Sequence, residues 1–167
     1  INIAAVGVGG KGATDIRSVA HENIYALCDI DDTKMAGTLN EDFAVSFRDK
    51  AKKYRDYREM LDSEPEIDAV LVSTPDHMHA PIATHAMNLG KHVYVQKPLC
   101  HTVREARYLA ERARANDVVT QMGNQGHAEE GARQINEWVA SGVLGNIREV
   151  HCWTNSPVWP QGIARPE

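Results

Sequence analysis

The sequence contains few cysteines and no pair of them at close spacing. Its three cysteines, Cys28, Cys100 and Cys152, are odd in number and widely separated, and no C-x-x-C pair occurs. This usage indicates neither a disulfide framework nor a zinc knuckle. We therefore predict reduced thiols that are mostly buried.

The sequence also lacks an excess of positive charge and any long hydrophobic run. Its net charge is -5 over 167 residues, and 43% of the residues are hydrophobic. A partner such as nucleic acid or a membrane surface requires a basic face, and a membrane span requires roughly 18 consecutive apolar residues. We expect neither partner. We expect a cytoplasmic protein that acts on small molecules, or an exported form whose signal has been removed.

Short apolar runs alternate with helix-like stretches along the chain. This pattern is typical of a parallel sheet with crossover helices, and continuous apolarity fits strands that are buried on both faces. The fold class that it predicts is α/β, with a doubly wound parallel sheet. The predicted strands cover residues 3–6, 24–28, 69–73, 92–95, 118–122 and 147–153.

Capping and periodicity predict the helices. Thr102 and Glu105 have the spacing of a capping box, and apolar residues at helical spacing follow them. Gly142 is expected to end the last helix, which should bury Ile135, Trp138 and Val139. The predicted helices lie at about 13–21, 57–61, 81–89, 102–116 and 129–141.

A glycine-rich turn directly follows the first predicted strand and leads into the first predicted helix. In a dinucleotide-binding fold, such glycines allow a tight turn, a close approach of the backbone to pyrophosphate, and close packing of helix on strand. Free N–H groups at the helix N-terminus then bind the pyrophosphate. We therefore predict a Rossmann fold whose cofactor contacts include Gly7, Gly9, Gly10, Lys11 and Gly12.

An acidic residue, Asp29, ends the second predicted strand. A carboxylate at this place accepts hydrogen bonds from the adenosine ribose hydroxyls and repels a 2′-phosphate. We therefore predict NAD as the cofactor, with NADP as the less favoured alternative. Lys11 is the residue that could instead pair with a 2′-phosphate, and a turn-forming acid without a ligand is the alternative interpretation of Asp29.

Three polar segments follow later predicted strands, at the sheet edge where ligands bind in open parallel sheets. They are residues 73–79, 95–98 and 123–127. His77 and His79 could form a metal pair, but spacing places no third ligand beside them, so we predict no metal.

With these motifs, the sequence resembles the Gfo/Idh/MocA oxidoreductase family, named for glucose-fructose oxidoreductase, inositol dehydrogenase and a rhizopine-catabolism protein. The resemblance rests on the glycine-rich turn, Thr74 to His79, Gly90 to Val93 and Lys97-Pro98, in that order. It implies an N-terminal Rossmann domain, here 1–122. Residues 123–167 would then hold a connecting helix and the first strand of a truncated α/β open-sheet domain, whose sheet would form a homo-oligomer.

The resemblance also implies roles for individual residues. Lys97 is the catalytic residue, which would take the hydroxyl proton of a sugar or cyclitol while hydride passes to the nicotinamide. Gln96 stands where the family usually carries Glu, so we expect the tuning of this proton transfer to differ. The expected further cofactor contacts are Ser73, Thr74, Pro75, His77, His79, Gln96 and Lys97. The expected substrate contacts are Lys97, Asn124, Gln125, His127 and Trp153.

Several alternatives stay open. Trp153 and Trp159 could stack on a sugar ring or serve as core and interface residues, and His127 could instead hydrogen-bond at a helix start. Some relatives of this kind are NAD-dependent glycosidases that oxidise a sugar transiently, eliminate its substituent and restore the alcohol. A dinucleotide-binding domain without catalysis is the third possibility.

Overall fold

The computed structural model describes residues 1–153 and contains a six-stranded parallel sheet. Its strands follow the order β3-β2-β1-β4-β5-β6, and every neighbouring pair is parallel. This confirms the predicted doubly wound α/β fold. Because the strand order reverses between β1 and β4, a crevice opens at their carboxyl ends. The strands are β1 (Asn2–Val6), β2 (Asn23–Cys28), β3 (Lys52–Tyr54), β4 (Ala69–Val72), β5 (His92–Gln96) and β6 (Thr120–Gly123).

The described residues contain six α-helices, and five of them match predicted helices. The predicted capping box of α5 is present, with the Thr102 side chain and the Glu105 side chain each bonded to the other residue's backbone N–H. The helix that the sequence did not predict is α2, which Asp31 caps by accepting from two backbone N–H groups. The helices are α1 (Lys11–Ser18), α2 (Asp32–Leu39), α3 (Tyr57–Ser63), α4 (His79–Asn88), α5 (Val103–Ala115) and α6 (Glu130–Ala140).

The core lies on both faces of the sheet. Ala4 and Val6 of β1 belong to a cluster that contains Ile82 of α4, whereas Ile3 and Ala5 belong to a second cluster around Ile16 of α1. Successive side chains of a strand point to opposite faces. A strand that is covered on both faces therefore needs an unbroken apolar run, which is the pattern the sequence shows.

The described residues form two compact units, Ile1–Gln125 and the segment that begins at Gly126. The predicted strand at 147–153 is wrong, because these residues have no regular secondary structure. A strand requires a neighbour to accept and donate its backbone hydrogen bonds, and the described chain supplies none there. Trp159 lies outside the described residues.

Two burial predictions are also wrong. Ile135, Trp138 and Val139 of α6 are 57%, 49% and 48% exposed, because nothing in the described part of their own unit covers this face of the helix. Among the thiols only Cys28 is buried, whereas Cys100 is half-buried and Cys152 is exposed. In the part of the chain that the structure covers, no helix has the length and apolarity needed to cross a membrane.

Candidate functional site

The glycine-rich turn lies between β1 and α1 and packs tightly against the end of β4. A Cβ atom on Gly7 would lie 2.7 Å from the Ser73 carbonyl oxygen, and one on Gly12 would lie 1.9 Å from the Gly7 carbonyl oxygen. Neither position can hold a side chain, and Gly7 also has a φ of +81°. These contacts bring the start of α1 against the carboxyl end of the sheet.

The N-terminus of α1 is open for an anionic ligand. No side chain among the described residues caps this helix, and its first turn contains no acidic residue. A Cβ atom on Gly10 would meet no atom within 4 Å, whereas one on Gly9 would meet the flexible Lys34 side chain at 2.8 Å. The unpaired N–H groups and the helix dipole favour a negatively charged group beside this turn.

Asp29 joins the turn to the end of β2. Its Oδ2 accepts from the Val8 N–H at 2.8 Å, and its Oδ1 accepts from the Asp31 N–H at 3.0 Å. A carboxylate oxygen can accept more than one hydrogen bond. Both oxygens of Asp29 can therefore still accept from ribose hydroxyls, and their positions are fixed by the backbone.

The segment after β4 presents a hydroxyl that has no protein partner. The Thr74 Oγ1 is buried, and no hydrogen-bonding group of the described residues satisfies it. Pro75, next along the chain, and His77, in a short 3-10 turn at Asp76–Met78, are exposed. An unpaired buried hydroxyl costs free energy unless a ligand or water completes it, so Thr74 fits a place for a bound polar group.

His79, a predicted cofactor contact, is buried between two backbone carbonyl oxygens. Its ring is 1% exposed, with Nε2 2.8 Å from the Thr74 carbonyl oxygen and Nδ1 2.5 Å from the Pro98 carbonyl oxygen. Both ring nitrogens therefore face protein oxygens. The side chain connects the loop after β4 to the loop that carries Lys97.

Lys97 follows directly after β5, at the carboxyl edge of the sheet, and is exposed. Among residues 1–153 no carboxylate lies within ion-pair distance of its ammonium group. Its backbone N–H points to the Oε1 of Gln96 at 3.4 Å. Because no described carboxylate pairs with it, the Lys97 side chain is available to a ligand at this edge of the sheet.

The residue that sequence reasoning missed is Asp15, in the middle of α1. It is 7% exposed and accepts hydrogen bonds from the Ser73 hydroxyl and the Gln96 amide, both at 2.8 Å. The Lys11 ammonium group forms an ion pair with it at 2.8 Å. Burial, and then the charge of Asp15, raise the pKa of the nearby Tyr94. Three predicted cofactor residues, Lys11, Ser73 and Gln96, thus share one buried carboxylate.

Gln125 completes this polar network, although it was predicted as a substrate contact. In the amide orientation that satisfies both ends, its nitrogen donates to the Gly123 carbonyl at 2.8 Å. Its oxygen accepts from Gln96 Nε2 at 2.6 Å and from Lys11 Nζ at 3.1 Å. The neighbouring predicted contact Asn124 is exposed, and its backbone N–H donates to the Met122 carbonyl.

The remaining predicted substrate contacts, His127 and Trp153, belong to the second unit and are exposed. His127 ends a 3-10 turn at Gln125–His127, and Trp153 is 85% exposed. Within the described part of the chain, no three His, Cys, Asp or Glu side chains come together as a metal site would require.

The residues present fit a dinucleotide. The close-packed Gly7 and Gly12 form the turn, the uncapped start of α1 suits a pyrophosphate, and the Asp29 carboxylate suits ribose hydroxyls. The Thr74 hydroxyl, which no group of residues 1–153 satisfies, follows the end of β4.

Comparisons with known proteins agree with this geometry. A family model described as an oxidoreductase family with an NAD-binding Rossmann fold matches residues 1–124. Glycosyl hydrolase family 109 protein 1 of Shewanella sp. (strain ANA-3) is 31% identical over 88% of this chain. Inositol 2-dehydrogenase of Salmonella typhimurium is 26% identical over 87% of it. The crystal structure of myo-inositol 2-dehydrogenase from Lactobacillus plantarum has a TM-score of 0.76 and 24% identity over 88% of this chain.

The chain spans less than half of the length of these relatives. It covers 33% of the Shewanella protein, 43% of the Salmonella protein and 43% of the Lactobacillus chain. At 24% identity the structural likeness shows the fold alone.

Proposed function

Because this chain belongs to the Gfo/Idh/MocA oxidoreductase family, we propose that it transfers hydride between NAD and a secondary alcohol of a sugar, glycoside or cyclitol. The observation that carries the proposal is the turn at Gly7 and Gly12, which packs against β4 while Asp29 is bonded to its backbone. This arrangement presents N–H groups and a ribose acceptor on one edge of the sheet.

Lys97 is the catalytic residue of this proposal. Lys97 follows β5, the strand next to β4. Within the described residues no carboxylate forms an ion pair with its ammonium group. It would donate a hydrogen bond to the substrate hydroxyl oxygen and orient the alcohol, and in its neutral form it would take the hydroxyl proton. Bound NAD would supply the hydride acceptor.

Several contacts support NAD over NADP. Asp29 directs a carboxylate to the place of the adenosine ribose, where it would repel a 2′-phosphate. Lys11, the cation that could have favoured NADP, pairs with Asp15 at 2.8 Å. The side chain of Asp31 caps α2 and stays near the ribose position as a further negative charge.

We also propose that the segment after residue 122 leads into a second α/β domain. This domain would contribute contacts to the sugar or cyclitol, among them Trp153, and its sheet would assemble a homo-oligomer. Light scattering of the full-length protein tests the oligomer, because a monomer at all concentrations contradicts it.

An NAD-dependent glycosidase is the second candidate, because the glycosyl hydrolase family 109 relative is 31% identical to this chain. The same Lys97 would then act on an alcohol that is oxidised only transiently, and the sugar would be released without net reduction of the cofactor.

A single assay separates the candidates. Full-length protein is incubated with NAD and a panel of sugars, nitrophenyl glycosides and inositols, while NADH absorbance and released nitrophenol are recorded together. A dehydrogenase accumulates NADH, and a glycosidase releases nitrophenol without it. If neither signal appears although the protein binds NAD normally, the remaining interpretation is a binding domain without catalysis.

The Lys97→Ala variant tests the catalytic assignment. It should lower kcat by roughly 100-fold or more, since general acid–base groups contribute 10²–10⁴-fold, and leave the dissociation constant of NAD within about threefold. Lys50→Ala is the matched control, because Lys50 is an exposed lysine remote in sequence from the crevice loops. Unchanged activity in Lys97→Ala contradicts the assignment.

A further inference from the structure

Asp15 is a buried charged residue to which the proposed reaction assigns no role. Its side chain is 7% exposed, and its hydrogen-bond donors come from three separate elements of the fold. A buried carboxylate is costly unless it is paired and hydrogen-bonded. The chain supplies one ammonium group, one hydroxyl and one amide to it, so the site is built around the charge.

The amide partner of Asp15 is next to Lys97 in the chain. Gln96 is 5% exposed and is the last residue of β5. One amide hydrogen of Gln96 faces Asp15 Oδ2 at 2.8 Å, and the other faces the Gln125 oxygen at 2.6 Å. These two contacts leave the Gln96 oxygen pointing to the Lys97 N–H at 3.4 Å.

The orientation of the Gln96 amide therefore depends on the charge of Asp15. A carboxylate only accepts hydrogen bonds, so it selects the nitrogen end of the Gln96 amide. With an amide at position 15, either end of Gln96 could face inward, and the contact to the Lys97 backbone would no longer be selected. Asp15 also holds the Lys11 ammonium group at 2.8 Å.

We propose that Asp15 is a positioning residue for Lys97, and that Asp15 and Gln96 form a carboxylate–amide pair whose two members can be exchanged. The proposal rests on the proposed function, because it assumes that Lys97 acts on the substrate. Asp15 itself acts only through Gln96 and through the start of the loop that follows β5.

The exchange can be tested in the full-length protein with Asp15→Asn, Gln96→Glu and the double variant. Asp15→Asn removes the charge, and Gln96→Glu places two carboxylates against each other. Each single variant should lower kcat by on the order of tenfold to 100-fold, because small displacements of a catalytic group cost that much. The KM for the alcohol substrate should stay within about threefold.

The double variant restores one carboxylate and one amide in reversed positions. It should regain kcat by about tenfold or more over the better single variant, since residues in contact are non-additive. A double variant that is no better than the product of the singles overturns the proposal, as does a full kcat in Asp15→Asn. If Asp15→Asn fails to fold, the comparison of Gln96→Glu with the double variant decides, because only a contact between positions 15 and 96 gives recovery.

A readout without cofactor separates this proposal from the proposed function. Amide hydrogen exchange of Lys97, Leu99 and Cys100 in the cofactor-free protein should be faster in Asp15→Asn and return toward the wild-type rate in the double variant. Unchanged exchange in Asp15→Asn overturns the positioning role. If Lys97→Ala keeps full activity, the proposed role of Lys97 fails, and the exchange data still report whether Asp15 orders the loop.

Discussion

The Val8 N–H donates to Oδ2 of Asp29 at 2.8 Å, and this bond joins the glycine-rich turn to the end of β2. The second oxygen accepts from the Asp31 N–H. The proposed ribose acceptor and the proposed pyrophosphate-binding turn therefore have a fixed relative position. Preorganisation of this kind reduces the entropy that a ligand must lose on binding.

Asp29→Asn should weaken NAD binding. The amide would lose the proposed charge-assisted hydrogen bonds to the ribose, and its nitrogen would face one of the two N–H groups, of Val8 or of Asp31, from which the carboxylate accepts. A loss of roughly 2 kcal/mol corresponds to a dissociation constant about 30-fold higher. NADP binding should weaken less, because the repulsion of its phosphate is also removed. Calorimetry with both cofactors measures this.

The control for this prediction is Asp49→Asn, which removes an exposed carboxylate with the same change of net charge. Equal affinities for NAD in the wild-type and Asp29→Asn proteins would show that Asp29 makes no contact with the ribose.

Gly12→Ala should destabilise the protein severely, because its new Cβ would lie 1.9 Å from a backbone oxygen that cannot move freely. Overpacking of this kind costs about 3 kcal/mol. Gly37→Ala is the matched control, since Gly37 is also in a helix and a Cβ there meets nothing within 4 Å. The Gly37→Ala variant should be more stable than the wild type by about 0.5–1 kcal/mol. Urea unfolding compares the two, and similar effects from both would contradict the structure.

The parts of the fold that depend on local patterns were predictable. The capping box at Thr102 and Glu105 marks the start of α5, and the buried strands need continuous apolar runs. β3 escaped prediction because Lys52–Tyr54 is a three-residue polar strand at the sheet edge, where one row of its backbone groups needs no partner strand. α2 escaped prediction because Gly37 and its threonines give it little apolar periodicity.

The candidate site was only partly predictable, for a physical reason. The glycine-rich turn and Asp29 are recognised by their order after strands, which the sequence displays. Asp15 bonds to Ser73 and Gln96, which lie 58 and 81 residues away. The folded sheet brings these residues together, and spacing along the chain indicates only the ion pair of Asp15 with Lys11, four residues apart.

Cys28 should be unreactive in the folded protein. Burial, with Asp29 as a second cause, raises the pKa of its thiol to about 12, so almost no thiolate is present at pH 8. Mass spectrometry after iodoacetamide treatment should find Cys28 unmodified in native protein and modified in urea. A Cys28→Ala variant assigns the signal. Rapid native modification of Cys28 would contradict its burial in the core against one face of the sheet.

Glu64 should control stability at acidic pH. It is 5% exposed and accepts hydrogen bonds from Lys52, Tyr54 and Tyr25. These bonds, that of Lys52 foremost, lower its pKa from the usual value. A carboxyl whose folded-state pKa is lowered contributes stability above its unfolded pKa of about 4.3, and that contribution is lost as pH falls through the folded pKa.

Glu64→Gln should therefore cost roughly 1–3 kcal/mol at pH 7, because the neutral amide loses the charge-assisted bond to Lys52 and accepts fewer hydrogen bonds than the carboxylate. The variant should also lose less of its stability than the wild type as pH falls below about 4.3, since it has no proton to take up at this position. Urea unfolding between pH 3 and 7 measures both effects. Glu59→Gln, an exposed change in α3, should follow the wild-type curve. A parallel curve for Glu64→Gln would show that the hydrogen bonds to Glu64 do not depend on its charge.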